Sequence, residues 1–557
     1  MQNEKTKRLR GARILIETLL EQGVTDVFGY PGGTVLDIYD ELYRARRRLR
    51  HVLTAHEQGA THAADGYARA TGKVGVVIAT SGPGATNLVT GLATAMLDSV
   101  PLVAITGNVA TSMIGRDSFQ EVDITGVTVP ITKHNFFVQD VCELADTIRE
   151  AFAIARSGRP GPVLIDIPKD VQQTLCVFRP APPAAPRSLP QSKEAKLDRA
   201  AALIEKAERP YIYIGGGALG CGLGEAVLAL AEKLDAVVGC SFMGLTAVPT
   251  DAPRFLGMQG MHGRYAASAA FREADLILGV GVRFSDRATE GLPALNDRAT
   301  VIQMDTDIAE LGKNVPVDCG LHGDLRVLFP LLANRCAAQS HPDWVARVQA
   351  LRSREAALLA SAESAGETAL TPQAMFRVIN ALRDPQTVIA TDVGQHQMWT
   401  AQFAAFRQPH TLVSSGGLGT MGYGLGAAIG ACIGTGKQTL LITGDGSFGM
   451  NLTELATAVT ERLPLVILVF DNRSLGMVRQ MQQTAFGGRL AWTDLSARKT
   501  DFVRVAEAFG AKGTRAETPA QFKKAFASAL KEKTPVLIDC RLDPELQAFS
   551  PLSLEEV

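Results

Sequence analysis

A carboxylate and an amide 27 positions apart, Asp445 and Asn472, mark the stretch of this sequence best suited to chemistry. Asp445 sits in Gly444-Asp445-Gly446-Ser447, and Asn472 closes the pair Asp471-Asn472. Each follows a short apolar run, Thr439 to Thr443 and Leu465 to Phe470, with a helix-length segment from Met450 to Leu463 between them. β-Branched runs of this length around a helix read as parallel strands, buried on both faces, that end at the same sheet edge. Asp445 and Asn472 are therefore expected to meet where open α/β sheets take their ligands. A carboxylate, an amide oxygen and a backbone carbonyl, with Ser474 as the candidate, form a hard donor set suited to Mg²⁺, which completes its shell with water and phosphate oxygens. Gly444 and Gly446 allow the backbone close to a phosphate, and the helix start beyond them favours negative charge. The expected ligand is a diphosphate held through a metal.

A second candidate lies near the other end of the chain. Val52 to Ala55 reads as a short strand, and His56-Glu57-Gln58-Gly59-Ala60 turns from it into a helix running to Ala70. A glutamate at a strand end facing an interface would be desolvated. That would raise its pKa and fit it to share a proton with a weakly basic ring nitrogen. As a lone residue, Glu57 would more simply be an acid in a first helical turn.

Size and charge bound what surrounds these residues. A chain of 557 residues has room for about three to four domains. Its 56 Lys and Arg balance 57 Asp and Glu, so no overall field draws it to nucleic acid or an anionic membrane, and a small-molecule ligand is expected. The basic first ten residues lead into an amphipathic pattern, Ile14 to Glu21, and no apolar run reaches the roughly 18 residues of a spanning helix. Eight cysteines without close spacing are expected to be reduced thiols in a cytoplasmic protein.

Pro-rich and polar stretches divide the chain. Three α/β domains are expected, at 1–178, 194–336 and 371–557, joined by a Pro-rich linker at 179–193 and a polar connector at 337–370. The first and third look related, since each alternates buried strand-like runs with Gly-rich turns such as Ser81-Gly82-Pro83-Gly84 and Ser415-Gly416-Gly417-Leu418-Gly419.

Gly-Asp-Gly, 24 residues, then Asp471-Asn472 resembles the signature of thiamin-diphosphate enzymes, which usually ends in Asn-Asn. Glu57, with Gly66-Tyr67-Ala68-Arg69 and Thr80 to Asn87, resembles that family's pyrimidine-binding domain. The resemblance implies that Glu57 bonds the aminopyrimidine nitrogen and promotes formation of the nucleophilic ylid, with Pro83 and Asn87 beside it. It also implies that Glu57 serves a cofactor shared with a second subunit, hence a homodimer or homotetramer. In the third domain, Gly394, Gln395 and His396 resemble the segment touching the diphosphate, Gly419 and Met421 the segment bending the cofactor into its V, and Gly444, Asp445, Gly446, Ser447 and Asn472 the cradle itself.

The blocks outside that core resemble the catalytic subunits of the acetolactate synthase family. They are Tyr30 to Gly33, Phe119 to Asp123, Pro168 to Val171, Gly260 to Gly263 and Arg283 to Arg287, and the similarity spans about residues 8 to 545. It implies that Gly33, Phe119, Gln120 and Lys169 lie near the reacting carbon, with Met261, Arg287 and Met481 shaping the acceptor site. An arginine there has a fork of donors for a carboxylate. Tyr211 to Ile214 followed by Gly215-Gly216-Gly217-Ala218-Leu219-Gly220 fits a strand and dinucleotide turn. The family likeness implies FAD there, held by Gly215, Gly216, Gly217, Gly281, Arg283, Asp305, Asp324 and Arg159.

The implied activity is decarboxylation of pyruvate on thiamin diphosphate and ligation of the hydroxyethyl carbanion to a second 2-oxo acid. Pyruvate as acceptor gives 2-acetolactate and 2-oxobutyrate gives 2-aceto-2-hydroxybutyrate, the first common step of branched-chain amino-acid biosynthesis. Many bacterial relatives carry a small regulatory subunit. Three departures stand out: Ser285 for an aspartate, Met481 for a tryptophan that favours 2-oxobutyrate, and a tail from Gln547 that matches the closing segment only loosely. Gly426, where many relatives have proline, is expected to loosen the start of the helix beyond it. A decarboxylase, a pyruvate oxidase and a nicotinamide- or flavin-dependent oxidoreductase are the rivals; glyoxylate carboligases characteristically lack the glutamate found here as Glu57.

Overall fold

The computed structural model describes residues 7–289, 295–363 and 369–548. Three six-stranded sheets, every strand parallel to its neighbours, follow one another along the chain.

The first sheet contains β1 (Asp26–Gly29), β2 (Arg50–Leu53), β3 (Gly75–Ala79), β4 (Leu102–Asn108), β5 (His134–Phe137) and β6 (Pro162–Pro168), in the order β2-β1-β3-β4-β6-β5. Alternate residues supply its two cores. Val76, Ile78, Val103 and Ile105 pack on one side, and Val77, Ala79, Leu102 and Ala104 on the other. An antiparallel ribbon, Lys7–Arg10 with Leu175–Phe178, closes this domain.

The middle sheet contains β7 (Pro210–Ile214), β8 (Val237–Cys240), β9 (Phe255–Met258), β10 (Leu276–Val280), β11 (Thr300–Asp305) and β12 (Cys319–His322), in the order β9-β8-β7-β10-β11-β12. The order reverses between β7 and β10, the switch point where a doubly wound sheet opens a ligand crevice.

The third sheet contains β13 (Val388–Thr391), β14 (Leu412–Val413), β15 (Thr439–Gly444), β16 (Leu465–Asp471), β17 (Lys512–Ala516) and β18 (Val536–Arg541), in the order β14-β13-β15-β16-β18-β17. Numbered within each domain, the first and third sheets share one strand order, and the middle sheet has another. The likeness of the outer domains is therefore one of topology.

Two helices bring the outer domains together: α1 (Glu57–Thr71) of the first and α2 (Gly424–Thr435) of the third. Gly426 lies inside α2, where a Cβ would come within 2.8 Å of Gly59 O and 2.9 Å of His62 Cβ. Glycine here serves close helix packing, which corrects the expectation that it loosens the helix start.

Two further expectations are corrected. The segment after Gly444 is not one helix from Met450 to Leu463: a helix runs from Asp445 to Asn451, a 3₁₀ turn covers Leu452–Glu454, and a second helix covers Leu455–Thr460. Glycines 444 and 446 do not delay helix formation, so the helix begins at Asp445 itself. The eight cysteines are not all free thiols: Cys142 and Cys176, 34 residues apart, are paired with their Cα atoms 5.6 Å apart. The ribbon strand Leu175–Phe178 carries Cys176 to the turn before the helix Leu144–Arg156, a neighbourhood that sequence spacing does not reveal.

Candidate thiamin diphosphate and acceptor site

β15 and β16 pair with Gly444 opposite Phe470, so Asp445 and Asn472 emerge one and two residues beyond a paired position, as the sequence predicts. Asp445 is buried at that edge, where the charge of Arg498 acts on it favourably. Burial, reinforced by the neighbouring Asp471, pushes its carboxyl up to about 7. A buried carboxylate at this sheet edge fits a metal ligand. No cluster of three or more His, Cys, Asp or Glu side chains suited to a metal occurs among the described residues.

The Asp471 that replaces the family's asparagine has a visible partner: its Oδ2 lies 2.7 Å from Arg541 Nη1 on β18. Asn472 donates through Nδ2 to Gln395 Oε1 at 3.1 Å, and its Oδ1 accepts from Ser474 N at 3.2 Å. Gly394 and Gln395 begin the helix Gln395–Phe403, and His396 is buried with its Nε2 lacking a protein partner. Burial lowers the His396 pKa to about 3, so the ring is neutral. The His396 ring stands beside the Gly444 turn, whose Cβ would lie 2.9 Å from Nδ1, and its unpartnered Nε2 fits a cradle that receives a polar group. Ser447 Oγ donates to Val393 O at 2.9 Å, and Met421 Cε is 3.7 Å from where a Cβ on Gly446 would be. Gly419 adopts φ +70°.

Asp392, at the end of β13, emerges as a supporting residue. Its carboxylate accepts from Gly422 N at 2.7 Å and Thr443 Oγ1 at 2.9 Å, which ties the Met421 segment to β15. Burial raises this carboxyl to about 6.

In the first domain Glu57 is the first residue of α1 and accepts from Asn87 Nδ2 at 2.9 Å through Oε2. It is half-buried in the single chain. Pro83 opens the short helix Pro83–Thr86 beside it. Gln120, at φ +60°, backs onto Gly82, and Lys169 Nζ donates to Gly33 O at 3.4 Å. Phe119 is 87% exposed. These residues gather at one rim. No hydrogen bond or ion pair joins them to the third-domain cradle among the described residues.

At the acceptor candidates, Arg287 Nη1 donates to Met261 Sδ at 3.3 Å, and Met261 N donates to Arg287 O at 2.9 Å. Met481 is half-exposed on the helix Gly476–Ala485, whose Gln480 binds both N and O of Ala548. The tail through Ala548 is thus seated on that helix. Its continuation lies outside the described residues.

In the middle domain, Gly215, Gly216 and Gly217 follow β7, and Gly281 and Arg283 follow β10, on either side of the switch point. Gly217 N donates to Gly281 O at 3.1 Å, and a Cβ on Gly217 would lie 2.7 Å from Gly281 Cα. Asp305 ends β11, and burial raises its carboxyl to about 6. Asp324 instead caps the helix Leu325–Arg335 and pairs with Arg326 at 2.7 Å. Arg159 spans the boundary from the first domain, bonding Ser99 Oγ at 2.7 Å and Glu310 at 2.8 Å.

Three family descriptions match the three domains. Residues 9–127 match the N-terminal TPP binding domain of thiamine pyrophosphate enzymes, 197–332 the central domain, and 392–540 the C-terminal TPP binding domain. Fold and site together define a thiamine pyrophosphate enzyme. The chain is 44% identical to the acetolactate synthase isozyme 2 large subunit of Escherichia coli, over 98% of this chain and 97% of that protein. It is 43% identical to a probable acetolactate synthase large subunit of Methanocaldococcus jannaschii, over 96% and 92%. It belongs to the acetolactate synthase large-subunit family.

Proposed function

We propose that this chain joins two 2-oxo acids with loss of carbon dioxide, forming 2-acetolactate from two pyruvates or 2-aceto-2-hydroxybutyrate when 2-oxobutyrate is the acceptor. Two pyruvate anions take up one proton and yield acetolactate and carbon dioxide, with no net redox change. The observation that carries this reading is the Asp445–Asn472 edge, complete in donors, in a chain that aligns end to end with acetolactate synthases.

Asp445, Asn472 and the carbonyl of Ser474 would hold Mg²⁺, and Gly394, Gln395, His396, Gly444, Gly446 and Ser447 the diphosphate. When bound, thiamin diphosphate supplies the carbon nucleophile and the electron sink for decarboxylation. Glu57, fixed by Asn87, would hold or exchange a proton at the pyrimidine nitrogen of the bound cofactor. Gly419 and Met421 orient the ring. Lys169, Gly33, Phe119 and Gln120 surround the donor carbon, while Arg287, Met261 and Met481 position the acceptor carboxylate. Excluding water protects the ligation from stray protonation.

FAD would lie across the β7–β10 crevice, held by Gly215, Gly216, Gly217, Gly281, Arg283 and Asp305, with Arg159 and Asp324 at its margins. Its role would be structural, since the reaction transfers no electrons overall. A homodimer or homotetramer would complete each site, as the family resemblance implies, with Glu57 serving a cofactor shared with a second subunit. The relatives are named as large subunits, which supports a small regulatory partner. No described helix is long and apolar enough to cross a membrane.

Product identity tests the reading. Purified protein with Mg²⁺, thiamin diphosphate, FAD and pyruvate should form acetolactate, and Glu57→Gln should abolish it. Acetaldehyde alone would withdraw the acceptor site and leave a decarboxylase.

A further inference from the structure

Two loops that bear cofactor-site residues are each held by a carboxylate from the other outer domain. In the first domain, the loop leaving β2 enters α1, and both Ala55 N and His56 N donate to Glu454 Oε1, at 3.2 and 3.0 Å. Glu454 belongs to the third domain, in the 3₁₀ turn Leu452–Glu454 beyond β15. It is fully buried, and Thr457 Oγ1 donates to its other oxygen at 2.6 Å. In the third domain, the loop leaving β14 carries Gly416 and Gly417, whose amides donate to Asp98 at 2.9 and 2.7 Å. Asp98 belongs to the first domain, at the end of the helix Val89–Asp98 beyond β3. Its buried carboxylate also accepts from Arg69 Nη2 at 2.9 Å.

β2 and β14 hold the same place in two sheets of identical order, and so do β3 and β15. Each carboxylate therefore follows the third strand of its own domain and grips the loop after the second strand of the other. The loops leave room for the grip. A Cβ on Gly59 would lie 2.0 Å from Glu454 Oε1, and one on Gly417 would lie 2.8 Å from Asp98 Oδ1. Two amides on a buried carboxylate are charge-assisted bonds, and removing the charge weakens both at once.

We propose that Glu454 and Asp98 are reciprocal positioning residues: Glu454 sets where Glu57 presents its carboxylate, and Asp98 sets the Gly419–Met421 segment, an inference that rests on the thiamin diphosphate site described above. Neither touches the groups it serves. Both act through backbone amides, so their effects separate. Displacing Glu57 impairs proton exchange, while displacing the Gly419 segment impairs cofactor retention.

Hydrogen exchange by mass spectrometry on the full-length protein without cofactor, paired with steady-state kinetics, tests this. Glu454→Gln should speed exchange in 54–58 but not in 415–421, and lower kcat about tenfold with little change in half-saturating thiamin diphosphate. Asp98→Asn should speed exchange in 415–421 and raise half-saturating thiamin diphosphate about tenfold, with kcat at saturation nearly kept. Gly59→Ala keeps the Glu454 carboxylate but fills its space, and should reproduce the Glu454→Gln pattern even if that variant folds poorly. Unchanged exchange at 54–58 in both Glu454→Gln and Gly59→Ala, or equal losses of kcat and cofactor affinity in the Glu454 and Asp98 variants, would overturn the proposal. The exchange pattern reads the grips whether or not acetolactate is the product.

Discussion

Met261 and Arg287 hold each other twice, backbone to backbone at 2.9 Å and guanidinium to thioether at 3.3 Å. The second bond occupies one nitrogen of an exposed guanidinium whose Nε also lies 3.6 Å from Asp286 Oδ2, so the planar fork of this acceptor-site candidate is held in place by two side chains while still facing solvent. Arg287→Lys keeps the charge and loses the fork. Ligation should fall about 10- to 100-fold in kcat/KM while pyruvate decarboxylation continues, which parallel assays of acetolactate and acetaldehyde would register.

Met481 stands half-exposed on the helix that also seats the tail. A flexible thioether makes a soft wall that gains little from one extra methylene. The wild type should show only weak preference for 2-oxobutyrate over pyruvate in equal-concentration competition. Met481→Trp should raise that preference by up to about tenfold, the usual range for one methylene against a firmer apolar surface. An unchanged product ratio would remove Met481 from the acceptor site.

Asp445 is a carboxyl pushed up to about 7 by burial, with the neighbouring Asp471 adding to the effect. A divalent metal would remove that penalty. Treatment with EDTA should abolish activity, and Mg²⁺ should restore it. Asp445→Asn should raise the half-saturating Mg²⁺ about 100-fold or more, the scale of losing one charged ligand of few.

His62, buried against the Tyr423 ring at 5.1 Å, has its pKa lowered by burial to about 3. Below the unfolded value of about 6.5 the unfolded chain gains a proton that the native chain refuses, so this contribution to stability falls as pH falls. Relative to pH 8, about 2 kcal/mol should be lost at pH 5. Thermal melts of wild type and His62→Gln at both pH values isolate it: the wild-type advantage should shrink on acidification. Buried carboxyls such as Asp166, raised to about 7, act in the opposite sense and cancel in this comparison.

Residues whose role depends on a neighbour in sequence were readable without coordinates. Gly444-Asp445-Gly446 and Asp471-Asn472 each end an apolar run, and strand periodicity alone places them at one edge. Glu454, Asp98 and Arg541 were not readable, because their partners lie 398, 319 and 70 positions away and nothing local separates them from solvated surface charges. The break at Leu452–Glu454 was hidden for the same reason. Its helical pattern is intact, and the turn bends to deliver Glu454 to another domain. Gly426 read as a missing proline until α1 appeared against it.

Parallel pairing of β15 with β16 acts as a ruler for the edge that carries Asp445 and Asn472. One step of register would move Asp445 by about 3.3 Å relative to Asn472 and turn its side chain to the opposite face. The precision of that edge therefore resides in side chains such as Leu441 and Ile467, which sit deep in the sheet and touch no ligand. Damage to such residues would be felt first as a blunted affinity for metal, in a protein that still looks folded.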